Sequence, residues 1–304
     1  MAFENDIKRI DKRDWSKLCD KWLSFIPSFS YPGEAPEHQI LDFVGLEAIY
    51  HKTQSAQGGL KIDVPLLRQE VLREAIYFVH KSTHVCGAAN IHLENGALSW
   101  AISSAYQSSF FALKGILGLL GLSFPRINTA LMVDCFPEEE KLSSKQRKRG
   151  EIPRQEFKFV VLPKLSHKHM WQIFQRVLYV SKIELWREEI VSYLRHIDID
   201  KFSEQRNSLH YKNDFWLFPE DLFKRVFDPS FGVFENLFTE ANYDRMDSKK
   251  DFSFILNYIL LKFAIDLIKD LGKNATSINE EYNVILNTLK EGIHTRFLSC
   301  VNLD

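Results

Sequence analysis

The sequence predicts a mainly α-helical fold, a bundle with added helices at both ends and one small β insertion. Apolar residues recur at intervals of three and four along most of the 304 residues. Only 13 Gly and 10 Pro interrupt them, so long regular elements with few tight turns are expected. A hydrophobic content of 45% is enough to bury a substantial core in one large or two modest domains.

Taken in order, Trp15, Leu18, Cys19, Trp22, Phe25 and Ile26 mark a helix over 14–26 that Pro27 ends. A second helix is expected over 37–51, followed by a loop at 54–61. Asp63 as N-cap and Pro65 just inside predict a third, running to about Lys81. Cys86 to Gly96 reads as loop, so residues 1–95 form a helical N-terminal region without a sheet.

The most apolar helix is expected from Leu98 to Leu120, with Leu98, Ile102, Ala105, Leu113, Ile116 and Leu120 on its core face. A second face carries Ser104, Ser108, Ala112 and Gly115, small residues that admit a close partner helix, either within the monomer or across a dimer seam. Residues 125–165 read as a basic loop leading into one strand, EFKFVVLP at 156–163. One long helix or two joined helices then cover 167–196. Ser248 with Asp251 resembles a capping box for a helix that stops at Gly272, and Ser277 with Glu280 starts the last. The division that follows is 1–95, a core at 96–216 holding the basic insertion, and a helical C-terminal region at 217–304.

Charge and cysteine usage narrow the function. A net charge of -1 and a pI near 6.8 exclude a globally basic nucleic-acid binder and leave only a local patch. Lys145, Arg147, Lys148, Arg149 and Arg154 supply one, able to attract a phosphate backbone by releasing its counterions. Alternatively they form a solvated loop. Cys19, Cys86, Cys135 and Cys300 are scattered without CxxC pairing, as expected of reduced thiols in the cytoplasm. MAFENDIKRIDKRDW lacks the apolar run of a secretory signal, and the serines of 97–124 favour a buried core helix over a membrane span.

Several chemical constellations are weak. His80 and His84 share a helix face as a zinc pair would, but no glutamate of a metalloprotease motif lies between them, and Cys86 and His92 have no familiar zinc spacing. Glu139-Glu140-Lys141 with Asp134 matches a magnesium-nuclease triplet only formally, because Pro137 and the charged loop argue against the strand it requires. No metal or cofactor is expected.

The segment from Phe202 to Trp216 is richer. Arg206 and His210 at i, i+4 fall on one helix face and can address one ligand. Cleavage of RNA without metal needs a base for the ribose 2′-OH, an acid for the leaving oxygen and a cation for the phosphorane. Histidine can serve either proton task, and arginine stays charged and grips two phosphate oxygens. The structural alternative is Arg206 paired with Glu204 or Asp214 and His210 capping carbonyls.

RNSLHY, from Arg206 to Tyr211, resembles the signature of the HEPN superfamily, an arginine followed by a polar residue and then a histidine. AISSAYQSSFFALKGILGLLG resembles the first long HEPN helix, aromatic and small-residue-rich at its start and apolar at its end. The resemblance implies a helical bundle that dimerises and a metal-independent endoribonuclease of a bacterial toxin–antitoxin or phage-defence system. Arg206 and His210 would be catalytic and Asn207 would support them, with RNA as substrate and a partner protein in the complex. The spacing from Arg206 to His210 is shorter than the family pattern by one residue. That difference supports the other expectation, a non-catalytic HEPN-like module that binds a protein or nucleic acid. Nucleic-acid binding through the 141–154 loop alone is a third.

Overall fold

The computed structural model describes residues 7–8, 10, 12–24, 46–55, 60–62, 67–126, 130–136, 144, 148–149, 157–162, 164–186, 188–198 and 252–292. Its first elements are β1 (Arg13–Asp14), α1 (Trp15–Leu23), α2 (Leu46–Ser55), β2 (Leu60–Ile62), α3 (Leu67–Glu94) and α4 (Leu98–Leu119). β3 (Leu122–Ser123), β4 (Ala130–Asp134), β5 (Phe157–Leu162), α5 (His167–Val180), β6 (Ser181–Lys182) and α6 (Glu188–His196) follow. α7 (Phe252–Gly272) and α8 (Thr276–Gly292) complete the described chain.

Two helical hairpins make the core. α3 and α4 are joined through Asn95, Gly96 and Ala97, and α7 and α8 through 273–275, connections short enough to make each pair antiparallel. α7 lies against α4, α8 against α3, and the four share one hydrophobic core. Leu67, Leu72 and Ile76 from α3, Leu113 and Ile116 from α4, Phe263 and Leu267 from α7, and Ile285 and Leu289 from α8 are all sealed from solvent. The helices thus come from all three regions expected from the sequence, 1–95, 96–216 and 217–304. None of the described helices is long and apolar enough to cross a membrane.

At one end of the bundle lies a four-stranded antiparallel sheet in the order β2-β5-β4-β3. Leu60 pairs with Phe159 and Met132 with Val160. β1 and β6 pair in parallel as a separate two-stranded ribbon. The expectation that residues 1–95 hold no sheet is therefore corrected by β1 and β2. Strands of two or three residues are too short to show alternation, and the partner that stabilises β2 lies far along the chain. Likewise the sheet exceeds the basic insertion at 125–165, which contributes β4 as well as β5. All five residues of β4 are buried, so its sequence carries no alternating pattern to mark it.

The expected loop at 86–96 is also corrected, because α3 continues to Glu94 and ends where Gly96 takes a left-handed φ of 72°. Cys86, Gly87, Ala89 and Asn90 are buried there, so packing rather than an apolar stripe sustains the last turns. Other expectations match. The helix expected over 14–26 forms over Trp15–Leu23, the 167–196 stretch resolves into two helices, and α7 stops at Gly272. Asp14, which the sequence did not single out, caps α1 by accepting from the Ser16 N–H at 3.0 Å.

The N-terminal segment closes the end of α4. The last carbonyls of a helix lack intrahelical donors. Here the Trp22 indole donates to the Leu119 carbonyl at 2.8 Å and the Arg13 Nε to that of Leu120 at 2.9 Å. Arg13 also pairs with Asp134 of β4 at 2.5 Å, both side chains almost wholly buried. Gly121 then turns the chain with a φ of 84° towards β3.

Candidate functional site

α3 and α4 approach closely because the facing residues are small. A Cβ on Gly118 would lie 2.6 Å from the Cβ of Ala75, and one on Gly115 2.6 Å from Val79 Cγ2. Nearby, the Ser82 hydroxyl donates to the Ser108 carbonyl at 2.9 Å and the Ser108 hydroxyl to the Ser82 carbonyl at 2.8 Å. Asn257 of α7 donates to Ser108 Oγ at 2.6 Å, and the Tyr258 hydroxyl donates to Asn90 Oδ1 at 2.9 Å. Of the small-residue face, Ser108, Ala112 and Gly115 are thus buried within the monomer, which is the intramolecular alternative.

The histidine cluster is dispersed by the same geometry. His80 meets Glu281 of α8 at 2.9 Å, His84 is exposed, and the Cys86 thiol is buried, which raises its pKa well above the ordinary thiol range. Among the described residues, no three His, Cys, Asp or Glu side chains converge as a metal site. Asp134, weighed as a magnesium ligand, is committed to Arg13 and to the Phe136 N–H at 3.1 Å.

One stripe of α4 escapes burial: Trp100, Ser103, Ser104, Gln107, Phe111 and Lys114. Across the hairpin, Phe78 of α3 stacks with Phe111 at 6.2 Å between centroids. The Lys81 ammonium sits 4.5 Å over Phe111, and the Lys114 ammonium 4.7 Å over Phe78 and 5.5 Å over Phe110. His167, at the start of α5, stacks on Phe110 at 4.0 Å, and its Nδ1 lies 3.1 Å from the Tyr106 hydroxyl. Cations and rings therefore alternate across α3, α4 and α5.

The electrostatics follow from enclosure. Burial lowers the Lys114 pKa, Glu74 opposes that shift and Lys81 reinforces it. Burial raises the Glu74 carboxyl above 4.5 even though it accepts from Ser123 Oγ at 2.6 Å and lies near Lys114. Lys81 itself is exposed. Chemically this face can bind an anion and cover flat apolar groups.

Residues 75–145 of the chain match the HEPN domain family model. The chain carries a HEPN domain. No curated protein and no solved structure matches the chain. The matched segment takes in most of α3, all of α4, β3 and β4. Apart from residues 67–74 of α3 and His167, the close-packed hairpin and its alternating face therefore lie within the HEPN segment.

Arg206, Asn207 and His210 lie outside the described residues, as do Lys145, Arg147 and Arg154. Lys148 and Arg149 are described and exposed. The residues that sequence reasoning passed over are Lys81, Lys114, Phe78, Phe111 and His167. A signal for them was present in the charge pattern: residues 95–133 and 157–183 contain neither Asp nor Glu.

Proposed function

We propose that this HEPN protein is a metal-independent endoribonuclease of a bacterial toxin–antitoxin or antiviral defence system, acting in the cytoplasm. The observation that supports the reading best is the HEPN match at 75–145, because it places a ribonuclease-associated domain on the central hairpin; the Arg206/His210 pair lies outside that segment and enters from the sequence alone. His210 moves the proton between the ribose 2′-OH and the leaving 5′-oxygen, Arg206 stabilises the phosphorane, and Asn207 supports them. Two protomers bring their 206–210 segments into one cleft, and Lys145, Arg147, Lys148, Arg149 and Arg154 steer RNA towards it.

Purified protein is expected to cleave RNA in EDTA, leaving 2′,3′-cyclic phosphate ends, and His210→Ala to lose that activity. Equal cleavage by the variant would refute the catalytic assignment. The second reading, a non-catalytic HEPN module holding a partner protein or nucleic acid, is favoured by the single residue missing between Arg206 and His210. It predicts intact RNA under every condition together with stable complex formation.

A further inference from the structure

We propose that the alternating face of α3, α4 and the start of α5 is a binding track for single-stranded RNA, on which the Lys81 and Lys114 ammonium groups leave the Phe111 and Phe78 rings they cover for phosphates, and bases take their places on the rings. The proposal rests on the ribonuclease reading for its ligand class, and on the geometry for its location.

Three features point to a ligand rather than to internal packing alone. First, among the described residues Glu74 is the one carboxylate seen to act on this pair of cations. Among the described residues neither Lys81 nor Lys114 forms an ion pair, and the acidic group acting on Lys114 is Glu74, enclosed and bonded to Ser123. Lys81 and Lys114 act on each other electrostatically, and like charges so coupled are stabilised by an anion placed between them. Second, the charge that α4 and α5 bring to the face is one-sided in a chain that is nearly neutral overall, the acidic residues of α3 nearest it being Glu74, bonded to Ser123, and Glu70, paired with Arg73. α4 and α5 contain no acidic residue, and exposed Lys164 and Lys168 flank His167.

Third, the face has length. Trp100, half exposed at 51%, occupies the same stripe of α4 as Phe111. Eleven positions at about 1.5 Å per residue set the two rings roughly 16 Å apart, with Ser103, Ser104 and Gln107 between them. Successive bases stack on aromatic side chains without sequence preference because every base offers a π face. A row of rings whose covering lysines can swing onto phosphates suits a single strand whose bases are unpaired. A duplex hides those faces.

The test uses the full chain with His210→Ala, so that the RNA survives, and a labelled single-stranded oligouridylate of about 12 nucleotides. Fluorescence anisotropy is expected to show salt-sensitive binding. Lys81→Glu should weaken it about tenfold and reduce the log–log salt slope by about 0.7. Phe111→Leu, which keeps apolar bulk and removes the ring face, should weaken it about tenfold while sparing the slope. Lys290→Glu, an exposed site on α8, should bind as the parent does, and matching thermal melts confirm that all variants are folded. Unchanged affinity in Lys81→Glu, or equal affinity for a duplex of the same length, overturns the proposal. Cleavage by the His210-intact protein is scored separately: lost cleavage with Lys81-dependent binding sinks the ribonuclease reading alone, whereas retained cleavage with Lys81-independent binding sinks the track alone.

Discussion

Gly118→Ala tests the close approach of α3 and α4. In an unconstrained helix this change would stabilise by about 1 kcal/mol, because alanine has the higher helix propensity. Here the new methyl would lie 2.6 Å from Ala75 Cβ and 3.2 Å from its Cα, far inside contact distance. Neither atom can rotate away, since both are fixed to the facing backbone, so α3 and α4 must separate. Overpacking of this kind costs about 1–3 kcal/mol. The difference is a net loss of up to about 2 kcal/mol. Urea unfolding followed by far-UV circular dichroism would read it as a lower midpoint at constant slope. Adding Ala75→Gly removes the clash, so the double variant should be more stable than the sum of the single changes predicts by about 1 kcal/mol or more. A higher midpoint for Gly118→Ala alone, or strict additivity, would refute the reasoning and open the hairpin to a looser packing.

Two further perturbations address buried charge. Arg13→Ala leaves Asp134 enclosed without its cation and removes the donor to the Leu120 carbonyl, so it should destabilise by about 3–5 kcal/mol in the same assay, with Arg13→Met/Asp134→Leu recovering most of the loss. Glu74 gives a pH signature. Burial raises its pKa in the folded chain above 4.5, so the folded state holds this proton more tightly than the unfolded one. Its stabilising contribution is full below pH 4.5 and is lost as pH rises through the folded value. Glu74→Gln keeps an acceptor for Ser123 and does not titrate, so melting temperatures collected from pH 4.5 upwards should fall less steeply than in the parent; parallel profiles would contradict the assignment.

Much of the helical content was legible because its signal is local. The apolar periods of 15–23, 98–119 and 252–272 report faces that each helix must bury, whatever it packs against. The small residues of α4 likewise announce a close neighbour, although not which one. The 86–94 turns were illegible for the opposite reason, since Gly87, Ala88 and Ala89 carry little apolar signal and are held by their surroundings.

For the functional face the sequence supplied the parts and not their meeting. By itself it determined a mainly helical chain, the absence of acidic residues from 95–133 and 157–183, and the Arg206/His210 pair. Only the tertiary structure decided that the C-terminal hairpin completes the bundle, that β2 joins a strand nearly a hundred residues away, and that Lys81, Lys114 and His167 share one row of rings. Helical periodicity fixes which residues of one element lie on the same side. Which sides face each other depends on shape and burial summed over the whole core, and no local pattern records that.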